Sequence, residues 1–81
     1  MRELDNAIRD AENEYDWDIS YRQTDQQQSG RSKVYTFEVV VDGQYAQYDA
    51  EEFFSDYNFY SVYVETTSHS YAVLTIEIDS Y

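Results

Sequence analysis

Residues 33–48 read KVYTFEVVVDGQYAQY, and the reading of this stretch decides the fold. Val34 to Val41 is almost free of breakers and rich in β-branched and aromatic residues, which suit a pleated, half-buried surface. Asp42-Gly43 is a dipeptide that a two-residue hairpin turn prefers, because its central residues need positive φ. The stretch is therefore expected to fold back on itself as a β-hairpin. Val41 would face Gln44, Val39 would face Ala46 and Phe37 would face Tyr48. Tyr35, Phe37, Val39, Val41, Ala46 and Tyr48 would form a core wall. Val34, Thr36, Glu38, Val40, Tyr45 and Gln47 would lie on the opposite face.

Upstream, residues 3–15 place Leu4, Ala7, Ile8, Ala11 and Tyr15 at helical spacing, which predicts an amphipathic helix. Glu3 and Asp5 fall in its first turn, where negative charge complements the helix dipole; Glu12, Glu14 and Asp16 crowd the other end, where it does not. Residues 16–23 alternate, with Trp17, Ile19 and Tyr21 on one side, as in a half-buried strand. Residues 24–32, TDQQQSGRS, are polar and read as a mobile loop. Downstream, Asp49-Ala50-Glu51-Glu52 is a helix-start pattern with Asp49 as N-cap, and Ala50, Phe53, Phe54 and Tyr57 share one helical face up to Asn58. Residues 59–65 and 71–78 read as two strands. A turn centred on Ser68 would pair Val64 with Ala72, Val62 with Leu74 and Tyr60 with Ile76.

The expected fold is α+β and two-layered, with the order α-β-β-β-α-β-β. A largely antiparallel five-stranded sheet would carry two helices on one face. The open face would show Val34, Val40, Tyr45, Phe59, Tyr63 and Val73 among Glu38, Glu65 and Glu77. Residues 1–81 make one domain, too short for a second core.

Charge limits the function more than pattern does. Seventeen Asp and Glu against five Lys and Arg give a formal net charge of −12. Arg2, Arg9, Arg22, Arg31 and Lys33 are all the cations. Such a chain repels DNA, RNA and anionic membranes, whose binding needs basic side chains. Its ten Tyr and four Phe exclude an ordinary acidic disordered tail. Without cysteine there is no disulfide framework, which suits a reducing cytoplasm. The charged start MRELDNAIRDAENE lacks a signal-peptide apolar run, and no stretch approaches the ~20 apolar residues of a membrane span.

Enzyme and cofactor signals are missing. His69 is the sole histidine and has no cysteine or second histidine to share a metal. Asp16-Trp17-Asp18-Ile19-Ser20 begins like a calcium loop, but Tyr21 stands where glycine is needed and Gln27 where glutamate is needed. No phosphate-cradling glycine loop or nucleophile elbow occurs. The expectation is a non-catalytic protein without cofactor or metal.

The acids are the working candidates. On the first helix Glu3, Asp10 and Glu14 form one row, and Asp5, Glu12 and Asp16 another. Four-residue steps along a helix are about 6 Å, close enough to a run of backbone phosphates to imitate one. Asp49, Glu51, Glu52 and Asp56 form a second cluster, and Asp18 and Glu38 add to the field. The plain alternative is a soluble protein whose acids simply face water. Self-repulsion at this charge opposes folding, which favours a use for the acids.

In size, charge, lack of cysteine and α+β element order the whole chain resembles the small acidic DNA mimics encoded by phages. These include the uracil-DNA glycosylase inhibitor and several anti-CRISPR proteins. The likeness is one of overall character with no shared motif, so no residue role is carried across. It implies a non-catalytic inhibitor in the host cytoplasm, acting as monomer or homodimer. The acids would fill the basic DNA-binding groove of a Cas subunit or other nuclease component. Two other readings compete: an acidic adaptor or chaperone-like dimer joined through its open sheet face, and a small domain adapted to brine.

Overall fold

A computed structural model describes residues 2–80. The elements are α1 (Arg2–Tyr15), β1 (Asp18–Ser29), β2 (Ser32–Asp42), α2 (Ala46–Ser55), β3 (Ser61–Ser68) and β4 (Tyr71–Ser80). The fold is α+β. Among the described residues one antiparallel sheet runs β1-β2-β4-β3, and both helices contribute to one core against the same face. The sheet has four strands, not the five expected, and the order is α-β-β-α-β-β.

The missing strand is the second arm of the hairpin expected at Asp42-Gly43. Gln44 to Tyr48 does not return along β2; it turns into α2. Ala46, Ala50 and Phe54, each four residues apart, are all buried, so the helical period outweighs the local turn signal. Gly43, at φ 155, lies against Trp17 so closely that a Cβ there would sit 2.5 Å from the indole Cδ1. The Trp17 indole N–H donates to the Gln44 carbonyl at 2.8 Å. Asp42-Gly43 is thus a strand-to-helix junction clamped by an indole. Ala46 is buried, as expected, but from the helix; Tyr48 is 73% exposed and belongs to no core wall.

The partners of β2 are β1 on one side and β4 on the other. Val39 sits between Tyr21 and Leu74, Phe37 between Gln23 and Ile76, and Val41 between Ile19 and Ala72. The segment expected as a mobile loop is the second half of β1, which reaches Ser29 and turns back through Gly30-Arg31. A bulge at Thr24 shifts the register, and the Thr24 hydroxyl donates to the Thr36 carbonyl at 3.3 Å. Thr24 to Gln28 are exposed, so the backbone ladder holds this edge without help from the core.

Elsewhere the period reading is close. The α1 stripe buries Leu4, Ala7, Ile8 and Ala11. The β3–β4 hairpin turns at His69-Ser70 and pairs Val64 with Leu74 and Val62 with Ile76, two residues away from the expected register. A slip of two keeps every side chain on its face, so the apolar face survives the error. In α2 the N-cap position is Tyr45, at φ 70 and with no side-chain cap, and Asp49 lies in the first turn instead. The open face carries Val34, Val40, Tyr63 and Val73, as the alternation requires. Tyr45 and Phe59 are not part of it: Tyr45 caps the helix, and Phe59 packs against the core.

Phe54, Leu4, Leu74, Ile76, Val39 and Val41 are the largest fully buried side chains. Each contributes about 1.5–3 kcal/mol relative to exposure. Among the described residues no helix is long and apolar enough to cross a membrane.

Gly30 and Gly43 separate backbone strain from crowding. Gly30 has φ 63 and nothing within 4 Å of an added Cβ. Gly30→Ala is expected to cost about 1–2 kcal/mol, the left-handed penalty alone. Gly43→Ala adds an overlap with Trp17 and is expected to cost about 2–4 kcal/mol. Urea unfolding followed by Trp17 fluorescence measures both; equal losses would disprove the clamp.

Candidate functional site: an acidic groove between the helices

Burying Leu4, Ala7, Ile8 and Ala11 turns one flank of α1 toward α2, and that flank carries Asp10 and Glu14. Burying Ala46, Ala50 and Phe54 turns the facing flank of α2, with Asp49, Glu52 and then Asp56 beyond its end, toward α1. Between them runs a groove of about 330 Å³ lined by Glu14, Tyr15, Asp49, Glu52, Phe53, Asp56 and Tyr57.

The floor is aromatic. Tyr15 stacks on Trp17 with ring centres 4.1 Å apart. Phe53 meets Tyr15 edge-on at 5.7 Å and Trp17 at 6.2 Å. Tyr57 continues the row, 5.5 Å from Phe53 and 5.7 Å from Phe59. Such contacts add about 0.5–1.5 kcal/mol per pair beyond area burial, and the Tyr15–Phe53 pair ties the end of α1 to α2. The Tyr57 hydroxyl donates to Asp10 Oδ2 at 2.8 Å, bridging α1 to the segment after α2.

The field in the groove is legible in its phenols. Burial, the hydrogen bond to Asp10 and the charges of Asp10, Glu14 and Asp56 push the Tyr57 hydroxyl up to about 12. Loss of water, then the charges of Glu14, Asp49, Glu52 and Asp56, raise Tyr15. Carboxylates from both helices therefore act on one ring. None of them has a cation within ion-pair distance: Arg22 Nε to Glu38 Oε1, at 3.2 Å, is the one ion pair among the described residues. Nor, among those residues, does any cluster of His, Asp and Glu have the geometry to hold a metal ion. The groove acids are spaced as an extended field and not as a chelate.

The remaining expected site residues are dispersed. Glu3, in the same row as Asp10 and Glu14, lies farther along, beside Asn58, Phe59, Tyr60 and Asp79. Asp5 faces the other way and accepts a hydrogen bond from the Tyr21 hydroxyl on β1, which raises the Tyr21 phenol. Glu12 and Asp16 are exposed and outside the groove lining, as is Glu51 on α2. Asp18 opens β1 opposite Asp42. Glu38 lies on the open sheet face, paired with Arg22, and cannot join a helical surface. The two helical clusters are thus legible in the sequence; that they share one groove is not. Tyr15 and Tyr57 fall in apolar stripes, although a phenol at a helix end, beside acids, is a signal for a half-wet site.

Because Tyr57 ionises later in the folded protein than in the unfolded chain, its contribution is complete below pH 10 and is lost as pH rises toward 12. Tyr57→Phe should flatten the alkaline limb of a stability–pH curve, and Asp10→Asn should bring the Tyr57 transition to lower pH in a phenolate absorbance titration. An Asp10→Asn titration that overlays the native one would remove Asp10 from the groove. No protein-family model, no curated protein and no solved structure matches this chain.

Proposed function

We propose that the protein is a non-catalytic DNA mimic whose inter-helical groove occupies the basic DNA-binding cleft of a target, in the manner of an anti-CRISPR inhibitor of a Cas complex. The observation that carries this reading is the placing of Glu14 opposite Asp49, Glu52 and Asp56 across one groove, with Asp10 joined to its wall through Tyr57 and no cation in ion-pair range among the described residues. Steps of three or four residues space charges by about 5–6 Å on each helix. Acids from the two helices stand on opposite walls of the groove, much as two phosphate strands flank a groove of duplex DNA.

The distribution of cations favours the same reading. Arg22 is spent on Glu38 at the far face of the sheet, and Arg31 and Lys33 lie at the β1–β2 turn. The helical layer is left to the acids, apart from Arg2 and Arg9 on α1. Field lines from such a surface steer a cationic partner and repel nucleic acid itself. The backbone that carries the clusters is fixed by helix and aromatic contacts, which confines the ordering cost on binding to the acidic side chains themselves.

The expected behaviour is competition. A Cas effector complex incubated with the protein should lose duplex-DNA binding, and a complex already holding DNA should resist it. Raising salt from about 50 to about 200 mM should relieve the inhibition steeply, as displacement of ion contacts requires. Glu14→Gln combined with Glu52→Gln should weaken inhibition about tenfold or more, equal to about 1.4 kcal/mol. Gel-shift titration reads each outcome. Undiminished potency in that double variant would sink the proposal.

A further inference from the structure

Beyond the groove, the geometry points to a second recognition element: Tyr45 and Tyr48 form a guanidinium-stacking shelf that makes the surface select arginine over lysine in its partner. This rests on the groove reading and specifies which side chains the partner must offer.

Tyr45 is 55% exposed and Tyr48 73% exposed. With Gln44, Gln47, His69 and Ser70 they line a cleft of about 440 Å³ at the end of the sheet. The backbone beneath is tied from three sides. Gly43 N–H donates to the Ser70 carbonyl at 2.9 Å, Ser70 N–H donates to Gln47 Oε1 at 3.0 Å, and Trp17 donates to Gln44. The rings therefore stand on a fixed frame and contribute nothing to the core.

The helix α2 links the shelf to the acidic groove. Asp49 lies four residues after Tyr45, the N-cap, and Glu52 follows Tyr48 by one turn; both acids line the groove. A ring followed one turn later by a carboxylate suits a guanidinium, whose planar face stacks on the phenol while its N–H fork reaches the acid. A lysine ammonium is a compact, strongly hydrated point charge and gains less from a ring face. A nucleobase could stack on the same rings, but its phosphates would meet the acids.

Labelled nona-arginine and nona-lysine, titrated against the full chain by fluorescence anisotropy in dilute buffer, test this. The native chain should bind nona-arginine about threefold to tenfold more tightly. Tyr48→Leu and Tyr45→Gly, the latter suited to the φ of 70 at that position, should together bring the two affinities level. Tyr48→Phe, which keeps the ring, should retain the preference. Glu14→Gln with Glu52→Gln should weaken both peptides. Equal binding of the two peptides by the native chain, still lost on neutralising the acids, would overturn the arginine preference and leave the groove intact. A preference that persists while neutralised acids change neither affinity would overturn the groove reading alone. Displacement of nona-arginine by uncharged adenosine would assign the cleft to a nucleobase and overturn the inference.

Discussion

The contact on which the rest depends is the Trp17 indole lying against Gly43 with its N–H on the Gln44 carbonyl. It joins the exit of α1 to the exit of β2, and Gly43 N–H adds the β3–β4 turn through Ser70. Three residues other than glycine with positive φ, Asp16, Tyr45 and Ser70, surround this point. Each costs on the order of 1–2 kcal/mol, sustained by the packing around it. The clamp sends the chain from strand into helix where the dipeptide alone favours a hairpin. What results is one α-β-β unit followed by another, with the two hairpins abutting through β2 and β4.

That arrangement also makes the charge possible. Two amphipathic helices on the same face of a sheet must expose their outer flanks, and here those flanks are acidic. Repulsion across the groove works against helix docking. The aromatic row of Trp17, Tyr15, Phe53, Tyr57 and Phe59 opposes it from below, and the Tyr57–Asp10 hydrogen bond satisfies one carboxylate at the groove wall. Tyrosine suits both duties, since its ring is buried while its hydroxyl reaches an acid. Tyr57, half-buried and bonded to Asp10, performs both, whereas Tyr21 is an exposed ring bonded to Asp5 and Tyr15 serves by stacking on Trp17.

Legibility in the sequence followed burial. The α1 stripe could be read because Leu4, Ala7, Ile8 and Ala11 are all inside, and the β3–β4 face because its parity survives a two-residue slip. The outer half of β1 could not: Thr24 to Gln28 are exposed, so no apolar period marks them as strand. Only Gly30, between two runs that pair in register, hinted at a turn. The fifth strand was an error of scale. Asp42-Gly43 is a local preference, whereas Ala46, Ala50 and Phe54 record a longer-range one, and the tertiary pattern won. At the site, the acidic rows were visible, but which rows face each other is set by how α1 and α2 lie on the sheet, and no periodicity within either helix encodes that.

The position of β4 governs how this chain reaches its native state. Both hairpins close across two-residue turns and can form quickly on their own. The β2–β4 ladder, by contrast, unites segments remote in sequence, as with Val39 and Leu74. Nearly all the loop-closure entropy therefore falls on a single docking event between preformed halves. Substitutions on that seam are therefore expected to slow folding, and those in the polar edge of β1 chiefly to speed unfolding.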